Sequence, residues 1–135
     1  MFTALDGLKP HAHWLLRLCL ASVFIFHGSM KFMNLEGFAQ MMGLSAPIAV
    51  LVAFAEVAGG IGIIVGGLSS DLITRLAGLA ITPVMLGAIF MVHWGRWNFM
   101  PAEGFPAGGM EFQVVLLLIA AYFVVVGNKI SNQTS

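Results

Sequence analysis

Apolar residues run along this chain in four long blocks, separated by short polar or glycine-bearing intervals. The blocks are Trp14–Met33 "WLLRLCLASVFIFHGSMKFM", Ala46–Leu68 "APIAVLVAFAEVAGGIGIIVGGL", Leu72–Trp94 "LITRLAGLAITPVMLGAIFMVHW" and Met110–Gly127 "MEFQVVLLLIAAYFVVVG". Each has the roughly 17–25 residues that a helix needs to cross about 30 Å of hydrocarbon. The pattern predicts an all-α integral membrane protein, a four-transmembrane-helix bundle running up-down-up-down, in one domain over 1–135. Pro47 falls in a first turn, where proline is tolerated, and Pro83 is expected to kink the third helix. Residues 1–13 lack a strongly positive segment and no small-residue cleavage signature follows, so the first block reads as a retained helix.

The connections differ. Ser69–Asp71 is a tight turn with Ser70 or Asp71 available as a cap for the following helix. Asn34–Ser45 and Gly95–Gly109 are longer, fall on the opposite side, and carry Phe, Met, Trp and Gly suited to segments lying against a membrane. Of the six basic residues, Lys9, Arg17, Arg75 and Lys129 fall on the side of the termini and the tight turn, while Lys31 and Arg96 fall on the other. The excess of positive charge places both termini in the cytoplasm and the longer loops outside a bacterial inner membrane.

Composition reinforces the bilayer. With 135 residues, 59% of them hydrophobic and 9% charged, the chain holds more apolar surface than so short a sequence buries in water. The formal net charge is zero and no basic cluster exists, which argues against nucleic acid. Cys19 is the one cysteine, excluding an internal disulfide, a CxxC pair and a CxxCH haem attachment; it is expected to be a buried structural thiol.

Polar residues inside the blocks are the candidates for chemistry. In "FHGSMKF", His27 and Lys31 are four positions apart and share a helix face. Lys31 lies about 3 Å and His27 about 9 Å from the outer end of the first span, and Glu56 lies roughly 15 Å inside the second. His93 closes the third span on the outer side, followed by Trp94, Arg96, Trp97 and Asn98, and Glu111 opens the fourth. Ionisable groups inside a membrane usually face a bundle interior and mark function. Plainer readings stand beside this one. Lys31 also suits a snorkelling anchor, His93 an aromatic belt, and Glu111 a helix dipole. Arg17 is expected to reach the inner headgroups or a carboxylate. Glu56 is too deep to snorkel and calls for a partner: His27, Lys31, Arg17 or a ligand. Gly59, Gly62 and Gly66 line a face for close helix packing, within the bundle or with another subunit.

The segments "LLRLCLASVFIFHGSMKF", "FAEVAGGIGIIVGG", "LITRLAGLAITPVMLGAIFMVHW" and "GMEFQVVLLLIAAYFVVVG" resemble the DoxX family of small bacterial membrane proteins. The marks are Arg17, His27, Gly28, Lys31, Glu56 with Gly59 and Gly60, and Glu111. The chain departs from the pattern at its end, reading "GNKISN" with Asn132 where many relatives carry Asp. The resemblance implies a four-helix membrane protein tied to redox metabolism. Some relatives are similar to quinone-reducing subunits of thiosulfate oxidation, and others associate with redox-defence proteins.

A quinone site would give the outer cluster a chemical purpose. Reduction needs donors to both carbonyls and a proton path. His27 and Lys31 suit one carbonyl and His93 or Asn98 the other, with Glu56 and Glu111 exchanging protons and Phe24, Phe26, Phe32 and Trp94 as walls. No intrinsic cofactor is expected, so electrons would come from a membrane or membrane-associated redox protein. A bis-histidine haem between His27 and His93 is chemically conceivable but has no supporting motif. A metal site is not expected either, because the Glu-x-x-His pairs of di-iron bundles are absent. Two other classes stay open: an accessory or assembly subunit of a larger complex, with a purely structural polar network, and a small-solute or proton carrier using Glu56. The chain could also form homo-oligomers.

Overall fold

The structure, a computed structural model, describes residues 3–129, so Asn132 lies outside the described residues. Apart from an isolated bridge pairing Ala102 with Phe105, the regular elements there are helical. A short α1 (Thr3–Asp6) and a 3-10 turn (Lys9–His11) lead into α2 (His13–Met33). Then come α3 (Leu35–Met42), α4 (Ala46–Ser69), α5 (Asp71–Ala88) continued by a π-helical segment (Ile89–His93), and α6 (Glu111–Val126). Three stretches are long and apolar enough to cross a membrane: Lys9–Met33, Ala46–Ser69 and Asp71–His93. With 16 residues α6 is apolar but shorter, spanning about 24 Å, and it begins and ends one residue inside the expected fourth block.

α2 packs on α4, α4 on α5, and α5 on α6. Leu20 and Phe24 of α2, Ile63 of α4, Ile81 and Met85 of α5, and Leu116 and Phe123 of α6 meet in one buried core. Leu15, Leu18, Leu51, Phe54, Leu76 and Leu118 point away from the protein. An apolar exterior around an apolar core is what a helical protein in lipid requires, since packing rather than water exclusion holds such helices together. The glycine face of α4 serves that packing inside the chain. A Cβ on Gly59 would meet Ile81 at 2.6 Å, one on Gly62 would meet Ala77 at 2.9 Å, and one on Gly66 would strike the Thr74 backbone. The stripe is therefore the seat of α5.

The connection expected as a loop at 34–45 contains α3. Asn34 leaves the helical region and its Oδ1 accepts a hydrogen bond from the Gly37 N–H at 3.1 Å, capping the new helix. Gly43 ends it in the left-handed region at φ 62°, with Leu44 N–H bonded back to the Ala39 carbonyl at 2.9 Å, a closure that favours glycine. Ser70 alone, in extended conformation, turns α4 into α5. Neither Ser70 nor Asp71 caps α5 through its side chain. Asp71 instead binds Arg75 and the Asn128 backbone. Pro83 sits inside α5, which continues past it and widens to π geometry at Ile89.

Segment 94–110 is fastened to the start of α6. Gly109, Met110 and Glu111 donate their N–H groups to the carbonyls of Asn98, Arg96 and Trp97 at 2.8, 2.8 and 2.9 Å. Those bonds satisfy donors that a helix start otherwise leaves orphaned. Trp94, Trp97, Phe99 and Met100 remain exposed on this segment.

Candidate functional site

Two polar centres occupy opposite ends of the helices. At the end holding Ser70, hereafter the turn end, the centre is Arg17, which is fully buried. Its Nη1 donates to the Ile63 carbonyl at 2.5 Å and to Thr74 Oγ1 at 3.1 Å. Nη2 reaches Asn128 Oδ1 at 2.6 Å and Nε reaches His13 Nδ1 at 2.9 Å. The guanidinium also lies 4.6 Å from the Phe123 ring centroid and 5.6 Å from that of Trp14. Asn128 extends the clasp, donating Nδ2 to the Gly66 carbonyl at 2.9 Å and its backbone N–H to Asp71 Oδ1 at 2.6 Å. Arg75 then donates to the Val124, Val125 and Val126 carbonyls at the end of α6, where a helix dipole favours a cation. The expectation that Arg17 reaches headgroups or a carboxylate is thus replaced: among the described residues it makes no salt bridge and is held by neutral acceptors from α2, α4 and α5 and by Asn128. Space for it comes from Gly67, where a Cβ would stand 2.9 Å from the guanidinium carbon.

At the other end, the loop end, α2, α3, α4, α5 and the π segment line a half-open cavity of about 730 Å³. Such a volume falls within the roughly 300–1,000 Å³ of small-molecule sites. Lys31 and Glu56 both line it, with Nζ 2.6 Å from Oε2. Glu56 is 3% exposed and Lys31 19%, so the pair joins α2 to α4 largely out of solvent. Gly28 permits the approach, since a Cβ there would stand 2.7 Å from Val57 Cγ2 and 2.9 Å from Glu56 Cβ. Phe38 of α3 lies over the Lys31 ammonium at 5.2 Å. His27 also lines the cavity and is exposed at its edge.

His93, 9% exposed, lines the far wall. Its Nδ1 is 3.0 Å from the Gly108 carbonyl and its Nε2 is 3.0 Å from Gln113 Nε2. A carbonyl only accepts, so the neutral ring carries its proton on Nδ1, leaving Nε2 to accept from the amide. The other two expected members stand apart. Asn98 Oδ1 takes the Met100 N–H at 2.8 Å, and Glu111 Oε2 takes the Phe99 N–H at 3.2 Å. They shape the 94–110 segment and are not among the cavity's lining residues.

The apolar walls differ from expectation. Phe24 belongs to the core, and Phe26, Phe32 and Trp94 do not line the cavity. Met30, Met41, Met42 and Met91 do, with Phe38 and Ile48. Thioether side chains are flexible and polarizable, and suit a surface that adapts to its occupant. Cys19, expected to be buried, is exposed on the outside of α2. Among the described residues no group of three or more His, Cys, Asp or Glu is placed to hold a metal ion.

Residues 12–94 match the family model described as DoxX. A Bacillus subtilis (strain 168) protein named "Putative oxidoreductase CatD" is 30% identical over 118 residues, covering 85% of this chain and 78% of that one. An uncharacterized protein of Haemophilus influenzae is 32% identical over 129 residues, covering 91% of this chain and 88% of its own. No solved structure matches the chain significantly.

Proposed function

The chain belongs to the DoxX family, and from that premise we propose that it is a redox-associated membrane subunit whose loop-end cavity binds a quinone or a similar lipid-soluble acceptor. One observation carries the reading: an apolar, methionine-rich cavity of about 730 Å³ that holds a Lys–Glu ion pair and two histidines. Apolar walls with a few convergent polar groups characterise sites for small amphipathic molecules. The name of the Bacillus subtilis relative points toward oxidoreduction.

In this reading the Lys31 ammonium donates to one carbonyl oxygen while Glu56 holds it in place. His27, at the cavity's edge, supplies a second donor. Two electrons from a partner reductant and two protons turn both carbonyls into hydroxyls, and Glu56 and His27 are placed to pass protons. α6 completes a four-span, up-down bundle in the bacterial inner membrane. The excess of basic residues at the turn end puts both termini in the cytoplasm, so the cavity faces the outer leaflet. A second reading, an accessory subunit with a structural polar network, is favoured by the internal satisfaction of both His93 nitrogens.

The test is photolabelling with an azidoquinone in nanodiscs, with peptides mapped by mass spectrometry. Labelling at Met30, Met91 or Phe38 that a short-chain quinone displaces and Glu56→Gln weakens supports the acceptor site. Diffuse labelling over the lipid-facing surface, unchanged by competitor, leaves the accessory reading.

A further inference from the structure

We propose that His93 and Gln113 form a two-state proton-holding pair beside the cavity, a role that rests on reading the cavity as an acceptor site. The π segment is where the geometry begins. Its wider turn, a feature often found at functional sites, ends on His93, buried with both ring nitrogens engaged. In the neutral state Nδ1–H donates to Gly108 and Nε2 accepts from the Gln113 amide. Gln113 Oε1 is buried and has no hydrogen-bond partner among the described residues, an expensive condition for a polar atom.

Protonating His93 places a second N–H at Nε2. The Gln113 amide then turns over, and Oε1 accepts that N–H at the position its nitrogen held. The turn exchanges one orphan group, Oε1, for the amide nitrogen, so the glutamine itself sets little preference between states. Charge decides the balance. The cation makes two charge-assisted bonds, to Gly108 O and to Oε1, and such bonds are roughly twice as strong as neutral ones. The step is simple to balance: one proton passes from water at the loop end to Nε2, and leaves by the same atom.

The charged surroundings leave room for such a cation. His27, Lys31 and Glu56 share the cavity, with Lys31 and Glu56 closed on each other as a pair of no net charge. Glu111 is turned to the Phe99 N–H and Arg96 to the Met100 carbonyl. The charge that draws a proton onto His93 is therefore one gained inside the cavity, when an acceptor there becomes anionic. His93 is a positioning residue in this scheme, offsetting charge without touching the acceptor through either engaged nitrogen.

The experiment is 15N NMR of histidine- and glutamine-labelled full-length protein in nanodiscs, with His93 assigned from His93→Gln. Spectra are followed over pH 5–8, the window of histidine chemistry. They are taken without ligand and with the anion of 2-hydroxy-1,4-naphthoquinone as probe. Without ligand, protonation of Nε2 should move in step with the Gln113 amide resonance. Gln113→Glu should favour the protonated ring and Gln113→Leu the neutral one, the latter by about tenfold in their ratio at a fixed pH. The probe should shift protonation the other way by a similar factor in the wild type. A His93 whose Nε2 stays unprotonated across the range, or titrates without any change at Gln113, overturns the pair. If the pair titrates as described but the naphthoquinone anion leaves the His27 resonances unperturbed, it is the acceptor site that fails.

Discussion

Replacing Glu56 with glutamine keeps the size of the side chain and removes its charge, leaving the Lys31 ammonium beside a neutral amide. The wild-type pair is 2.6 Å apart with Glu56 3% exposed. Stranding one member of a buried ion pair costs about 3–5 kcal/mol. Lys31 keeps 19% exposure toward the cavity, so its ammonium retains some solvation and the cost should fall at the low end, about 3 kcal/mol. At about 1.4 kcal/mol per decade this is a loss of roughly 100-fold in the folding equilibrium. Lys31→Met strands Glu56, the more deeply buried partner, and should cost at least as much. The double variant Lys31→Met/Glu56→Gln removes both charges and should return to within about 1 kcal/mol of wild type, since neutral replacements of buried pairs are often tolerated. Unfolding titrations in mixed micelles, followed by tryptophan fluorescence, would give the four stabilities and a coupling of about 5 kcal/mol, the two single costs less that of the double variant. Single costs below about 1 kcal/mol that simply add would refute the reasoning. Lys31 would then be a screened helix-end anchor.

Other substitutions probe the rest of the scheme. Arg17→Met should destabilise by about 3 kcal/mol, because the Ile63 carbonyl, Thr74 Oγ1 and Asn128 Oδ1 lose a donor together; Thr74→Val should cost about 1–2 kcal/mol in the same titration. Gly28→Leu should push α2 off α4 and abolish azidoquinone labelling together with stability, as its Cβ alone would crowd Val57, Glu56 and the Ala53 carbonyl. Gly87 lines the cavity and has nothing within 4 Å of a Cβ. Gly87→Ala should therefore raise stability by about 0.5–1 kcal/mol through helix propensity. Gly87→Phe should fold normally yet block labelling, separating occupation of the cavity from integrity of the bundle.

The helices are legible because hydrophobic runs of membrane length have few alternatives, and their ends in the structure lie within one residue of the apolar blocks. The shared placement of His27, Lys31, Glu56 and His93 was legible too, for a physical reason: charge in a membrane interior must be paired, and turning helices at a known rise locates depth. What depth does not give is azimuth. Phe24 faces the core, and Phe26, Phe32 and Trp94 lie at suitable heights but outside the cavity lining, whereas Met30, Met41 and Met91, themselves half or more exposed, border it together with Met42. Asn98 and Glu111 share the end of the bundle with the cavity, but Asn98 Oδ1 and Glu111 Oε2 accept from backbone N–H groups of the 94–110 segment. Cys19 failed in the same way, since an apolar run says a residue avoids water without saying whether protein or lipid covers it. α3 lies within the stretch expected as a loop, although Asn34 and Gly43 bracket it at the spacing of a capped two-turn helix.

The turn-end clasp was missed for a different reason, and it alters how the polar residues of this chain divide. Thr74 and Asn128 carry no charge, so intramembrane charge alone does not point to them; yet in low dielectric a neutral acceptor set is sufficient for a guanidinium that also stacks on two aromatic rings. Arg17 is spent entirely on joining α2, α4 and α5 to Asn128 and Phe123, with no face left for a ligand. Lys31 is bound by one carboxylate and one ring and still borders open volume. Two cations near opposite ends of one helix therefore do different work. The first fixes where the helices cross, and a rigid crossing at the turn end leaves the loop end free to hold a cavity whose methionine walls can adapt. In the proposed reading, binding at the second depends on the first being inert, so variants of Arg17 should reduce ligand labelling only in proportion to the folded fraction that remains.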